Sequence, residues 1–182
     1  MDIHELNINF GVHQLTLTNQ RALYWESENA IVLSDLHLGK AAHFRKHGIA
    51  LPATISEKDL NRLAALIIHY QAEKVIIVGD LIHAGNNKEV AEFQQFTQSF
   101  SNVSFILIKG NHDKQSDAFL YELGIKSIYQ HMVLDELYFT HEPNDGEEYT
   151  ISGHIHPGIK FKLGNKQRLS LPCFVIKNQQ LI

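Results

Sequence analysis

Over its first thirty residues the chain alternates apolar and polar positions in short bursts, Leu6-Asn7-Ile8-Asn9-Phe10, Leu15-Thr16-Leu17-Thr18 and Ala22-Leu23-Tyr24-Trp25, separated by Gly11 and by Asn19-Gln20. A period of two broken by turn residues predicts short antiparallel strands. At Ala30-Ile31-Val32-Leu33 the alternation gives way to an unbroken apolar run, the mark of a strand buried on both faces. Two further runs, Val75 to Val78 and Val103 to Ile108, have the same character. Between these runs the period becomes helical. Pro52 and Ser56 open a helix that would place Leu60, Leu63, Ala64, Ile67 and Ile68 on one face, and a second helix from about Asn87 to Phe100 carries the stripe Val90, Phe93, Phe96. Strand, helix, strand, helix, strand predicts βαβ units in a largely parallel sheet.

A short helix near Ser116 to Leu123, stopped by Gly124, ends that regime. Strands are then expected at Ser127 to Val133, Leu137 to Thr140, Tyr149 to Ser152, Ile159 to Leu163 and Arg168 to Ile176, with Asp-Glu, Asn-Asp-Gly and Gly-Asn-Lys turns between them. The last third therefore reads as mainly antiparallel. Its apolar end, Leu181-Ile182, predicts either a packed last strand or a chain that continues.

Composition narrows the class. The 182 residues are read as one domain, 1–182, long enough to bury a core without disulfides, and the lone Cys173 fits a reducing compartment. No apolar stretch reaches bilayer length and Met1 to Glu5 resembles no leader, so a cytoplasmic protein with no membrane partner is expected. The formal net charge of -4 argues against coating nucleic acid by bulk charge. Twelve histidines are the anomaly.

Most of the chemistry falls just past predicted strand ends. Asp35-Leu36-His37, Gly79-Asp80-Leu81-Ile82-His83, Gly110-Asn111-His112-Asp113, Thr140-His141 and Gly153-His154-Ile155-His156 supply carboxylate, amide and imidazole but no thiolate, a donor mix suited to Mn²⁺, Fe²⁺ or Zn²⁺. Residues at i and i+2 of a strand point the same way, so Asp35 with His37 and His154 with His156 can each chelate. Two such pairs exceed what one ion needs, and Asp80 is the natural bridge in a two-metal site.

These five motifs, in this order from Asp35 to His156, resemble the calcineurin-like metallophosphoesterases. Ser34 to Arg45 with Gly48-Ile49-Ala50-Leu51-Pro52, Gly153 to Gly158 and Leu171-Pro172-Cys173-Phe174 are similar to the ligase-associated DNA-damage-response endonuclease branch (PdeM type), relatives of the SbcD nucleases. The resemblance implies a four-layer α/β/β/α sandwich with mixed sheets and a phosphodiester substrate, DNA in a repair pathway beside a DNA ligase and a helicase. It implies two divalent ions, Mn²⁺ first with Fe²⁺, Co²⁺ or Zn²⁺ as substitutes, holding the attacking hydroxide. Asp35, His37 and His156 would hold one ion, Asn111, His141 and His154 the other, with Asp80 bridging. His112 would stabilise or protonate the leaving oxygen, His83 would lie near the phosphate, and Asp113 would orient His112 by a hydrogen bond. Lys40, His43 and Arg45 are candidate contacts to substrate phosphates, weighed evenly against a solvated loop. Rival readings are a phosphodiesterase or pyrophosphatase for a small nucleotide or lipid-linked substrate, and a non-catalytic scaffold of the same fold.

Overall fold

The computed structural model describes all residues except 1, 41–43, 45–47, 49–54, 86, 145, 147 and 164–166, and gives the backbone alone for 55 and 56. The alternating amino-terminal bursts form the meander β1 (Glu5–Phe10), β2 (His13–Thr18) and β3 (Leu23–Trp25), whose last strand pairs antiparallel with β4 (Ala30–Leu33). From β4 the sheet turns parallel through β5 (Lys74–Val78), β6 (Ser104–Ile108) and β7 (Ile125–Tyr129), giving seven strands in sequence order. Among the described residues, the α-helices α1 (Ile55–Tyr70), α2 (Lys88–Ser99) and α3 (Asp117–Glu122) lie between and after these strands. Pro52, expected to open α1, lies outside the described residues, as does the side chain of Ser56.

The unbroken runs exist because β4, β5 and β6 face two cores. In β5, Val75 and Ile77 point to a helix-side core with Leu63, Leu66, Ile67, Phe93 and Leu120, while Ile76 and Val78 point to a core shared with a second sheet. All four are fully buried, each contributing about 1.5–3 kcal/mol. The phase of α1 differs from the sequence reading: Ile68 is 68% exposed and Leu66 takes its place. Leu63, Leu66, Ile67 and Tyr70 form the face that meets the sheet, and the apolar Ile68 lies behind it.

The second sheet, ordered β13-β14-β10-β9-β8, comprises β8 (His131–Leu134), β9 (Leu137–Thr140), β10 (Thr150–Ile151), β13 (Ile176–Lys177) and β14 (Gln180–Leu181). The mixed-sheet class is thus the observed one, with two sheets face to face and the described helices on the outer face of the larger. One local expectation changes and another gains an exception. The single strand foreseen over Ser127 to Val133 breaks after Tyr129, where the chain passes from the large sheet into β8. The last third is mainly antiparallel, as in β8 with β9 and β13 with β14, but β10 pairs parallel with both β9 and β14. Parallel neighbours require long connections, and residues 141–149 and 152–179 provide them. Leu181 is 1% exposed, packed within β14. A separate ribbon, β11 (Gly158–Lys162) with β12 (Arg168–Pro172), stands exposed along its length, pairing Ile159 with Leu171 and Phe161 with Leu169.

Candidate metal centre

Three loops leave the carboxyl ends of the parallel strands β4, β5 and β6, and backbone hydrogen bonds tie the first two together. Asp35 N–H donates to Gly79 O (3.0 Å), His37 N–H to Asp80 O (2.8 Å) and Leu38 N–H to Leu81 O (2.8 Å). From the second sheet, the loops after β9 and β10 bring His141, His154 and His156 to the same place. There Gly153 N–H donates to His141 O and His154 N–H donates to Asp35 Oδ2, at 3.1 and 3.2 Å. Eleven described non-glycine residues have positive φ, and five of them are Asp35, His37, Asp80, His154 and His156. Each such conformation costs about 1–3 kcal/mol and persists only where surrounding bonds hold it. This concentration also corrects the geometry expected of the i, i+2 pairs. Asp35 and His37 lie beyond β4, and left-handed loop backbone, not strand alternation, turns them to one side.

Donor atoms collect in two groups. In the first, His37 Nε2 and His156 Nε2 lie 3.3 Å apart, and Asp35 Oδ1 is 3.8 and 3.5 Å from them. In the second, His141 Nε2 faces Asn111 Oδ1 at 3.2 Å, His154 Nδ1 at 3.2 Å and Asp80 Oδ2 at 3.4 Å. Donors around one tetrahedral ion at its usual bond length stand about 3.3 Å apart. Asp35 Oδ1 and His37 Nδ1 are buried without a hydrogen-bond partner, an arrangement that is costly unless a ligand engages them. Burial first, and the Lys40 ammonium second, push His37 down to about 4, which leaves its ring neutral and its lone pair available at neutral pH. His141 Nδ1 lies 3.0 Å from the Val78 carbonyl, to which it can donate, freeing Nε2 as a donor to metal. The residues therefore fit divalent ions. Asp80 joins the groups, its Oδ2 being 3.4 Å from His141 and 3.9 Å from His37 Nδ1.

The family model for calcineurin-like phosphoesterases matches residues 29–175. The chain belongs to that family. It is accordingly a metallophosphoesterase, an enzyme that hydrolyses phosphoesters with divalent metal. A solved structure described as Pseudomonas putida nuclease MPE is 31% identical, with a TM-score of 0.79 over 98% of this chain and 86% of that one. No curated protein matches.

Around the metallophosphoesterase centre stand the other expected residues. His112 is half-exposed, its Nε2 4.0 Å from Asp80 Oδ2 and its ring centroid 4.7 Å from that of His83. The expected hydrogen bond from Asp113 to His112 is not what the structure contains. Asp113 is buried and its carboxylate accepts from the backbone N–H groups of Gly110 (2.9 Å), Ile82 (2.9 Å) and Leu81 (3.3 Å). Burial pushes its carboxyl up, and those same bonds oppose the shift. It staples the Asn111 loop to the Asp80 loop, while His112 is placed by its own N–H donating to Asp80 Oδ1 at 3.0 Å. A Cβ at Gly110 would lie 2.3 Å from Asp80 Oδ1, so glycine lets the Asn111 loop pass this close to the Asp80 loop.

Lys40 is partly buried next to the first group; His43 and Arg45 lie outside the described residues. Sequence reasoning missed two supporting residues. Ser34 Oγ donates to Asp35 Oδ2 at 2.5 Å, and its place directly before Asp35 was the available signal. Glu89, buried in α2, accepts from Gly39 N–H at 2.7 Å, and nothing in the sequence distinguishes it from an ordinary first-turn acid.

Proposed function

We propose that the chain is a two-metal phosphodiesterase of nuclease type, cleaving DNA phosphodiesters. The observation carrying this reading is the pair of donor groups, Asp35-His37-His156 and Asn111-His141-His154, joined at Asp80 beside the half-exposed His112. Metal ions held there supply Lewis acidity to the phosphoryl oxygens and lower the pKa of an attacking water. The protein's own groups do the rest. Asp80 holds the His112 backbone, so the imidazole stands over the junction of the two groups and protonates the departing oxygen. His83, whose ring centroid is 5.6 Å from that of His37, adds a second imidazole on that side. Asp113 acts through the backbone, fixing the loop that carries Asn111 and His112.

Diester preference is supported by likeness to a protein described as a nuclease. A repair role beside a ligase and a helicase rests on the Ser34 to Pro52, Gly153 to Gly158 and Leu171 to Phe174 segments, and a cytoplasmic setting on the single cysteine. Mn²⁺ is the ion we assign, on the oxygen and imidazole donors.

The test compares a chromogenic phosphodiester with its matching monoester under Mn²⁺, with chelator added or absent. Diester hydrolysis should dominate, vanish with chelator, and fall about 10²–10⁴-fold in kcat for His112→Ala with KM little changed. A wild type that hydrolyses the monoester faster, or a His112→Ala variant within threefold of wild type, would overturn the reading.

A further inference from the structure

Next to the first donor group the surface opens into a cleft of about 560 Å³ between the β2–β3 turn and the foot of the exposed ribbon. Asp35 and His156 of that group line it together with the apolar Pro157, Leu171 and Phe174 and with Arg21. The volume is that of a site for a small organic group, for which about 300–1,000 Å³ is usual.

Arg21 is held where it is by an unusual turn. Its φ is 59°, a conformation that an arginine adopts only at a cost of about 1–3 kcal/mol. The loop is braced on both sides: Thr18 N–H and Thr18 Oγ1 both donate to Ala22 O (3.0 and 2.6 Å), and Gln20 N–H donates to Thr18 Oγ1 (3.2 Å). The Asn19 side chain adds two bonds to the amino-terminal segment, accepting from His4 N–H (3.0 Å) and donating to Asp2 O (3.2 Å). Yet no described residue forms a hydrogen bond or ion pair with the Arg21 guanidinium. The nearby carboxylate of Asp59 is already bonded to Arg62 at 2.7 Å, and Lys74 and Lys109 are each paired with an acid at 2.7 and 2.8 Å. A rigid turn thus presents a planar cation with no partner among the described residues, in a cleft that Asp35 and His156 also line. Such a fork suits a phosphate, to which it donates bidentately.

We propose that this cleft is a subsite for the nucleotide flanking the scissile phosphodiester, with Arg21 on the neighbouring phosphate and Pro157, Leu171 and Phe174 against the base and sugar. The proposal rests on the nuclease reading above. An apolar wall gains nothing from a base stacked within a duplex, whereas a splayed base offers it a face.

Kinetics of the 182-residue chain with Mn²⁺ test this, using a single-stranded DNA oligonucleotide and bis(p-nitrophenyl) phosphate, which has no second phosphate. Arg21→Gly is the chosen variant because glycine accepts the turn's φ, and Arg21→Lys retains the charge. The ratio of kcat/KM for oligonucleotide over small diester should fall at least tenfold in Arg21→Gly, mainly through KM, and recover in part in Arg21→Lys. The slope of log KM against log salt should become shallower by about 0.7, the loss of one single-strand phosphate contact. A ratio and slope within twofold of wild type in Arg21→Gly would overturn the subsite while diester hydrolysis stands. Hydrolysis of the small diester without any cleavage of the oligonucleotide would also overturn it. Absence of all diester hydrolysis in the wild type would instead remove the nuclease reading, and the subsite with it.

Discussion

At position 79 two constraints meet in one residue. Gly79 has φ of 84°, and a Cβ there would lie 2.0 Å from His141 Nδ1, the nitrogen facing Val78 O. Alanine must therefore displace the His141 ring as well as strain the backbone. Gly79→Ala should lose about 1–3 kcal/mol from the backbone alone and bind one fewer Mn²⁺ per chain, measurable by thermal unfolding and metal analysis. Retention of both ions would contradict the placement of His141. His37 yields a pH prediction from the same crowding. Burial holds its imidazole near 4 in the folded chain against about 6.5 unfolded, so between those values the unfolded chain binds a proton that the folded one does not. Its contribution to stability is present above pH 6.5 and is lost as pH falls toward 4. In metal-free protein the wild-type melting temperature should therefore drop more steeply over that window than that of His37→Asn; parallel curves would show that His37 titrates normally. The identities of these residues were legible in the sequence because imidazoles, carboxylates and one amide recur just past strand ends. Their backbone conformations were not, since left-handed φ at Asp35, His37 and Asp80 is imposed by hydrogen bonds from loops remote in sequence.

Helix α2 shows how an element far from the donor atoms supports them. Its N-cap, Asn87, accepts from the N–H groups of Glu89 and Val90, and its amide donates to Ala84 O and Gly85 O, fixing the loop that follows His83. One residue into the helix, Glu89 reaches back to Gly39 N–H in the loop that carries His37. Asn87→Ala should cost about 1 kcal/mol of stability, the usual value for a lost cap. Glu89→Ala removes a charge-assisted bond and should cost about 1.5–3 kcal/mol. It should also weaken Mn²⁺ at the Asp35-His37-His156 group at least tenfold, while Glu89→Gln, which keeps an accepting oxygen, falls between. A calorimetric titration in which Glu89→Ala matches wild type at both sites would remove Glu89 from the centre's support. The stripe Val90, Phe93, Phe96 made the helix itself predictable. Nothing local separates a buried acid that braces a loop from one that merely favours a helix N-terminus. The same limit explains β10: two residues, Thr150 and Ile151, carry too short a pattern to reveal that both their neighbours run parallel.

Across the whole molecule the centre lies on the seam between the two sheets. Asp35, His37, Asp80 and Asn111 come from loops of the seven-stranded sheet, and His141, His154 and His156 from loops of the five-stranded one. Hydrophobic periodicity reveals each sheet's strands, but not that residues 141–149 and 152–179 carry histidines across the seam; the motif order indicated that. Ions held by these residues would cross-link the sheets, so metal binding would add directly to folding free energy. At a free ion concentration 100 times Kd, one site contributes about 2.7 kcal/mol, which in a chain of this size raises the melting temperature by about 5–11 °C. Mn²⁺ should produce a shift of at least that size in wild type, and chelator should reverse it. His156→Ala separates this cross-link from packing. Its side chain is 52% exposed, so metal-free protein should melt within about 0.5 kcal/mol of wild type, yet part of the Mn²⁺ shift should disappear because the first group has lost a donor. If His156→Ala kept the full shift, the ions would not bridge the sheets through this residue. If the metal-free variant were itself much less stable, His156 would be supporting the fold by packing and not by ligation.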